Sequence, residues 1–391
     1  MADSIVRFAS GGLTVSPPLS LYIHLPWCVK KCPYCDFNSH ASQVIPEAAY
    51  IDALLLDLER ALPDIWGRRI HTVFFGGGTP SLFSAAGIDR ILTGVRTLTQ
   101  LLPNAEITLE ANPGTVEAEK FAGFREAGVT RVSLGIQSFN SQHLKALGRI
   151  HDDSEARRAA ELAATHFDTF NLDLMFALPG QTLDEALTDI DTALAFRPPH
   201  LSAYHLTLEP NTPFGHTAPP NLPDDDVAAD MHQAIEARLT EAGMQHYETS
   251  AYARPQHASR HNLNYWQFGD YLGIGAGAHS KLSFHDRILR QMRTKHPQQY
   301  MDAVAQGTHI ADARTLTRSD LPFEFMMNAL RLNEGVPSAL FEERTGLPLI
   351  VCTAGLEQAR AKGLLAHDAM QLKPTLLGQR YLNDLLELFL P

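Results

Sequence analysis

Three of the four cysteines in this 391-residue chain lie close together, at Cys28, Cys32 and Cys35, within the segment HLPWCVKKCPYCDFNSH. An odd number of closely spaced thiols is a poor basis for structural disulfides. Closely spaced thiolates bind zinc or iron–sulfur clusters, since both are soft enough to prefer sulfur ligands. The Cys-x3-Cys-x2-Cys spacing favours a 4Fe–4S cluster that has three protein thiolates and one iron open to an outside ligand.

Zinc stays as an alternative at this point. A structural zinc ion takes four ligands, and His24 or His40 is available to complete a Cys3His set. The fourth cysteine, Cys352, lies in a leucine-rich helical context, and we interpret it as a small buried apolar residue. The sequence shows no signal peptide and no apolar run of about 18 residues, so we expect a cytoplasmic protein.

Polar residues and glycines recur where successive predicted strands end. Six strand-like runs alternate with helical periods: LSLYIHL, HTVFFGGG, AEITLEANPG, TRVSLGIQSF, FNLDLMFALPG and HLSAYHLTLEP. This alternation predicts a parallel α/β sheet of about six β/α units. Ligands of such sheets bind beyond the carboxyl ends of the strands. We therefore expect one rim to collect Cys28, the turn at 76–79, Glu110, Gln137, Asp173 and Thr207.

The chain changes character after the predicted sheet. From about Asp312 it becomes leucine-rich and helical, with a predicted β-ribbon at GLLAHDAMQLKPT, which is typical of a winged-helix-like module. Residues 311–391 contain 10 acidic and 8 basic residues, and the whole chain has a net charge of −12. A nucleic-acid reader should be basic, so we expect no nucleic-acid partner and interpret this module as a lid or docking unit.

We predict four parts of the chain. They are a short N-terminal segment (1–20), a partial barrel (21–250), a connecting segment that contains HNLNYW (251–310) and a helical C-terminal domain (311–391). Within the connecting segment, Arg260 to Ser280 shows no helical period.

The cysteine spacing, followed by GGGTPS, is similar to that of the radical S-adenosylmethionine (SAM) enzymes. LYIHLPWC, FFGGGTPSL, LEANPG, RVSLGIQSF and DLMFALPGQT resemble the oxygen-independent coproporphyrinogen III oxidase branch, over residues 19–285. The resemblance implies a partial (β/α)6 barrel with a helical, winged-helix-like C-terminal domain, and a 4Fe–4S cluster on the three cysteines. It also implies SAM contacts at Tyr22, Gly77, Gly78, Thr79, Glu110, Gln137, Arg149 and Asp173.

The chemistry of these residues suits SAM. Glu110 is able to accept a hydrogen bond from the ammonium group of SAM, and Arg149 to pair with its carboxylate. Gln137 and Asp173 offer hydrogen bonds to the ribose or the methionine part. Glycine at Gly77 leaves the backbone open to close approach, since it has no Cβ.

Two departures separate the chain from the oxidases of this branch and are typical of its HemW-type haem chaperones. The oxidases carry a further cysteine where this chain has Phe37, and they have a longer N-terminal extension. The segment His261–Trp266, HNLNYW, matches the HNxxYW signature of the chaperone group, which is associated with haem binding. The resemblance implies a chaperone that binds haem and delivers it to haem-requiring apo-proteins, such as respiratory ones. An electron donor for the cluster is a further expected partner, and membrane contact is peripheral at most.

The expected haem contacts are His261, Tyr265 and Trp266. Imidazole is a common axial ligand of haem iron, and aromatic rings offer flat apolar faces to a porphyrin. Four further histidines remain alternative ligands: His205, His246, His257 and His279. Two alternative functions also remain, namely oxidative decarboxylation of coproporphyrinogen III and non-redox zinc binding.

Overall fold

A computed structural model describes residue 13 and residues 15–115 and 118–391. Most of the predicted N-terminal segment, 1–20, lies outside these residues. The strands that they form are β1 (Leu19–Leu25), β2 (Trp27–Cys28), β3 (His40–Ala41), β4 (Arg69–Gly77), β5 (Gln100–Ala111), β6 (Arg131–Gln137), β7 (Thr169–Phe176), β8 (His200–His205), β9 (Gln245–Glu248), β10 (Ala251–Ala253), β11 (Asp270–Ile274), β12 (His279–Ser283), β13 (Ile288–Arg293), β14 (Ile310–Thr315), β15 (Val336–Pro337) and β16 (Gln371–Leu372).

The α-helices alternate with the strands in the first half of the chain and dominate its end. They are α1 (Glu47–Ala61), α2 (Ala85–Leu98), α3 (Ala118–Ala127), α4 (Ser141–Ala146), α5 (Asp153–His166), α6 (Leu183–Ala195), α7 (Pro213–His216), α8 (Asp225–Glu241), α9 (Arg260–Trp266), α10 (Pro297–Gln306), α11 (Asp320–Ala329), α12 (Ala339–Thr345), α13 (Thr353–Ala361), α14 (Leu376–Arg380) and α15 (Leu382–Glu387).

Twelve of the strands form one sheet in the order β14-β13-β12-β11-β1-β4-β5-β6-β7-β8-β10-β9. The run from β11 through β1 and β4 to β8 is parallel throughout. The six predicted strands are β1 and β4 to β8, and they lie side by side as predicted. The α/β fold class, with a helical C-terminal domain, is thereby confirmed.

Strand alternation gives the sheet an apolar outer face and a polar inner face. In β6, Val132 and Leu134 join the large core beneath the helices, whereas Ser133 bonds to side chains of β7. The helices bury Leu54, Ile91, Phe121, Ala160 and Ile190 in the same core. Because strand residues alternate between faces, every second position of each strand is free to carry polar chemistry on the inner face.

The segment from Arg260 to Ser280, for which the sequence showed no helical period, is regular in the structure. It forms α9, β11 and part of β12, and β11 adds a seventh parallel strand beside β1. The elements are five to seven residues long, too short for a period to stand out. The predicted boundaries of residues 251–310 stay a prediction, although these residues contribute four strands to the sheet.

The C-terminal residues pack into a second apolar core that includes Phe325, Phe341 and Leu385. Cys352 belongs to this core and is 3% exposed, as predicted for a small buried apolar residue. Burial raises the pKa of its thiol to about 12. A two-stranded ribbon of β15 and β16 lies beside these helices.

In the part of the chain that the structure describes, no helix has both the length and the apolar character that a membrane crossing requires.

Candidate cofactor site

The carboxyl ends of the parallel strands surround a cavity of about 170 Å³. Three thiols of the cysteine loop face it from one side, and the ends of β4, β5, β6 and β7 face it from the other. The expected residues that line it are Cys28, Cys32, Cys35, Gly77, Gly78, Thr79, Glu110, Gln137, Arg149 and Asp173. Residues far apart in sequence therefore meet at one rim, whereas Thr207 does not line this cavity.

The cysteine loop suits a 4Fe–4S cluster. All three thiols are free and partly exposed, and two of them receive hydrogen bonds at sulfur, from Thr79 to Cys28 at 3.5 Å and from Arg149 to Cys32 at 3.6 Å. Such donors stabilise sulfur-centred negative charge. Within the described residues no three Cys, His, Asp or Glu side chains meet around one ion. A cluster has no such requirement, because each thiolate binds a different iron.

Burial opposes ionisation of two of these thiols in the ligand-free protein. The pKa values of Cys28 and Cys35 are raised, chiefly by desolvation. Ligand binding therefore has to displace protons from these thiols, since the thiolate is the ligand form.

The glycine turn after β4 packs directly against the strand that leads into the cysteine loop. A Cβ on Gly77, whose φ is 117°, would lie 2.6 Å from the ring of His24, and one on Gly78 would lie 2.4 Å from the Trp27 carbonyl oxygen. The Gly78 amide donates to the Leu25 carbonyl, and the Thr79 amide to that of Trp27. These two amides therefore donate to protein carbonyls and not to a ligand. The glycines allow close backbone packing as well as close approach of a ligand.

We expect Gly78→Ala to destabilise the protein by about 1–3 kcal/mol, because the new Cβ overlaps backbone that has no room to move. Chemical denaturation of the cluster-free protein measures this without any cofactor. Gly114→Ala is the matched control, since its nearest neighbours would be at 3.5 Å, and its effect should stay within about 0.5 kcal/mol. Equal free energies of unfolding for both variants would contradict the packing role.

Two half-buried carboxyl groups lie beside the cavity. Glu110 accepts a hydrogen bond from the Gly77 amide at 3.3 Å, while Asp173 accepts from Ser133 at 3.1 Å and from Asn171 at 2.7 Å. Desolvation raises the pKa of Glu110 to about 8, and the nearby Asp173 adds to the rise. Burial also raises the pKa of Asp173. A cationic ligand group beside Glu110 and Asp173 would stabilise their ionised forms.

Arg149 and Gln137, whose backbone is strained, complete the rim. Arg149 donates to the Gly135 carbonyl at 2.7 Å, and its Nε is buried without a partner among the described residues. Gln137 ends β6 with a φ of 68°, in the left-handed backbone region that residues other than glycine rarely adopt. Non-glycine residues held there cluster at functional sites. The orphaned Nε fits a ligand carboxylate.

The lining also includes residues that sequence reasoning did not single out. Ser133 and Gly135 precede Gln137 at two-residue steps in β6, and Tyr34 belongs to the cysteine loop. The strand period was the available signal, because positions 133, 135 and 137 must share a face.

Tyr22 is the expected SAM contact that the structure places elsewhere. It lines a second cavity and not the first. His24 Nε2 lies 2.8 Å from the Asn38 carbonyl oxygen and must donate to it, so its Nδ1 accepts from the Tyr22 hydroxyl at 3.1 Å. Tyr22 lies in the middle of β1 and not at its end, which is why it sits below the rim.

The second cavity, of about 870 Å³, adjoins the first. Four residues line both cavities, namely Phe37, Ser39, Gly77 and Glu110. Aromatic and basic side chains share the wall of the second cavity: Tyr265, Trp266, Tyr271, Lys31, Arg290 and Lys295. Aromatic faces together with cations suit a flat, anionic ligand.

His261 does not line this cavity, although Tyr265 and Trp266 do. Its ring is 1% exposed, with Nδ1 2.8 Å from the Thr72 hydroxyl and Nε2 2.9 Å from the Tyr265 hydroxyl. Desolvation lowers its pKa to about 3. The expected role of His261 as a haem ligand is therefore not supported by its position, because both ring nitrogens are already used.

Among the alternative histidines, His279 alone lines the second cavity in the part of the chain that is described. It is exposed, and desolvation and nearby Lys295 and Arg290 lower its pKa. His205, His246 and His257 lie outside this cavity.

Comparison with known proteins identifies the family. Residues 22–193 match the radical SAM superfamily, and residues 316–381 match the HemN C-terminal domain. The heme chaperone HemW of Escherichia coli is 52% identical over 96% of this chain and 98% of its own length. The heme chaperone HemW of Haemophilus influenzae is 50% identical, with the same two coverages.

A solved structure shows the same fold. Coproporphyrinogen III oxidase (HemN) from Escherichia coli, described as a radical SAM enzyme, superimposes with a TM-score of 0.81. The match covers 96% of this chain and 90% of HemN, at 24% sequence identity. With the two relatives that are at least half identical along nearly their whole length, these findings lead to one conclusion: the chain belongs to the HemW family of the radical SAM superfamily.

Proposed function

We propose that this protein is a haem chaperone, which holds a 4Fe–4S cluster and SAM in the first cavity and haem in the second, and delivers haem to haem-requiring apo-proteins. The observation that carries the proposal is the adjacency of two chemically different cavities that share Phe37, Ser39, Gly77 and Glu110. The near full-length similarity to proteins named heme chaperone HemW supports it.

The first cavity offers complementary groups for the ammonium and the carboxylate of SAM. The carboxyl groups of Glu110 and Asp173 suit its ammonium group, and the guanidinium of Arg149 suits its carboxylate. Cys28, Cys32 and Cys35 would hold the cluster. When bound, a cluster of this kind supplies one-electron chemistry, whereas the chain contributes positioning and shielding from water.

The second cavity has the size and lining that haem requires. Its volume falls in the range of sites that enclose a whole small-molecule ligand, roughly 300–1,000 Å³. Tyr265 and Trp266 would contact the porphyrin face, and Lys31 and Lys295 would neutralise the propionates, whereas Arg290 is already paired with Glu324. Three imidazoles line this wall: His24, His40 and His279. His24 is buried with both ring nitrogens bonded, and His40 is half-buried, whereas His279 is exposed, so we assign His279 as the axial ligand.

The proposal predicts that purified protein binds haem stably and that His279→Ala weakens the binding or shifts the haem absorption bands. Loss of an axial nitrogen changes the ligand field of the iron. Titration with haem, followed by absorption spectroscopy, measures both effects. His205→Ala is the control, because His205 is exposed yet does not line the cavity.

Substitution of His261 separates the two haem assignments. His261→Ala should lower stability, since it removes the partner of the Tyr265 hydroxyl and one of the two partners of the Thr72 hydroxyl, but it should keep the spectral signature of the bound haem. An unchanged spectrum in His279→Ala together with a changed one in His261→Ala would return the ligand role to His261.

The alternative function, oxidative decarboxylation of coproporphyrinogen III, is favoured only by the fold that the chain shares with HemN. Phe37, 61% exposed, stands between the two cavities where the oxidases carry a cysteine. We expect no conversion of coproporphyrinogen III when holo-protein, SAM and a reductant are combined. Detectable protoporphyrinogen IX in that assay would overturn the chaperone proposal.

The delivery step implies two partners, an acceptor apo-protein and an electron donor for the cluster. Transfer of bound haem to an apo-protein, followed by absorption spectroscopy after separation of the two proteins, tests the first.

A further inference from the structure

A separate polar cavity of about 310 Å³ opens at the opposite, amino-terminal end of the parallel strands. Arg131 and Thr169, the first residues of β6 and β7, lie next to each other in its wall. Glu106 of β5, His257 and Arg260 complete its polar lining. None of these residues lines the cofactor cavity or the second cavity described above.

Arg131 is a buried cation without a counter-ion. Its side chain lies in this wall while the residue is only 2% exposed, and its Nε is enclosed without a hydrogen-bond partner. Across the described ranges, 15–115 and 118–391, it makes no ion pair. An enclosed charge is costly to leave unpaired. No group among the described residues serves as the counter-ion of Arg131, so an anion from outside the protein would complete the site.

The neighbouring acidic groups are already engaged. Glu106 accepts hydrogen bonds from the amides of Arg260, at 3.2 Å, and His261, at 3.1 Å, and so caps the start of α9. Asp173 lies within electrostatic reach of Arg131 but is bonded to Ser133 and Asn171. Neither carboxylate forms an ion pair with Arg131 in the described structure.

The other polar groups of the wall are mostly donors. Arg260 uses one guanidinium nitrogen on the Asn104 carbonyl at 2.8 Å, which leaves its remaining N–H groups free for a ligand. His257 contacts the Thr169 hydroxyl through Nδ1 at 3.3 Å, so its other ring nitrogen is available. With two guanidinium groups and one carboxylate, the wall carries a net positive charge.

We propose that this cavity is an oxyanion-binding site, which takes the carboxylate or phosphate group of a small molecule between Arg131 and Arg260. The planar guanidinium donates two parallel hydrogen bonds to either group, so the geometry of Arg131 fits both. The proposal is independent of the haem and SAM assignments, since the two ends of the sheet share no lining residue.

Calorimetric titration of the full-length protein with inorganic phosphate, and separately with acetate, tests the proposal and distinguishes the two anion classes. We expect saturable binding of at least one of them. Arg131→Gln should weaken it by at least about tenfold, as loss of a charged hydrogen bond implies, and Arg260→Gln by a smaller factor. Arg69→Gln is the charge-matched control, because Arg69 is exposed and lies outside the cavity.

Two results would overturn the site. One is the absence of saturable binding of either anion to the wild-type protein. The other is binding that Arg131→Gln leaves intact while Arg149→Gln removes it, which would place the anion in the cofactor cavity. If Arg131→Gln does not fold, Arg260→Gln decides, and an unchanged affinity there refutes the proposal.

Discussion

Replacement of Cys32 with alanine should abolish the iron–sulfur cluster, so that anaerobically reconstituted protein loses iron and sulfide together. Wild-type protein should hold about four iron and four sulfide per chain. The loss should be complete, because the cluster needs one protein thiolate for each of three irons. Cys32 is also the thiol that accepts a hydrogen bond from Arg149. Iron and sulfide analysis, with the visible absorption of the cluster, measures the outcome.

The chain carries its own control for this experiment. Cys352→Ala removes a thiol of the C-terminal core, where burial keeps it protonated, and should leave the cluster content unchanged. Alanine at Cys28 or Cys35 should act like alanine at Cys32, since all three line one cavity. Stoichiometric zinc without sulfide in the wild-type protein would instead support the zinc alternative.

The parallel half of the fold was predictable because its signals are local. Each strand from β1 to β8 within the parallel run is a buried apolar stretch followed by glycine or polar residues, and parallel topology then brings the ends together. That is why Cys28 and Asp173, 145 positions apart, could be assigned to one rim from sequence. The helix starts are equally local, as at Thr182, which caps α6 together with Glu185.

The parts that the sequence did not reveal depend on contacts between distant residues. β11 takes its place through pairing with β1, about 250 positions earlier, and nothing in DYLGI itself indicates a parallel strand. His261 looked like a free ligand because its partner Thr72 lies 189 positions away. The motif HNLNYW does reach the second cavity, but through Tyr265 and Trp266. Unpaired groups such as Arg131 are likewise invisible until every neighbour is placed.

Glu110→Gln should weaken SAM binding by about tenfold or more while it makes the ligand-free protein more stable above pH 7. The pKa of Glu110 is raised to about 8, so the folded protein holds a proton that the unfolded chain releases near pH 4.5. Stability therefore falls as the pH rises from about 4.5 to 8, and glutamine removes this loss. Affinity falls because glutamine cannot form the charged hydrogen bond to the ammonium group.

The pH dependence of SAM binding carries the sharper test. If the ammonium group requires ionised Glu110, binding displaces the proton, and the affinity should rise by up to about tenfold per pH unit between pH 6 and 7.5. This window lies below the pKa of the ligand's own amino group, about 7.7–8.0, so the ammonium form of the ligand stays the major one. Titration of cluster-loaded protein at several pH values measures the slope, and the slope should vanish in Glu110→Gln.

Arg149→Gln is the companion variant. It should weaken binding by a similar factor but keep the slope, because it acts on the carboxylate end of SAM. An affinity that does not vary with pH in the wild-type protein would separate Glu110 from the ammonium group and leave Asp173 as its partner.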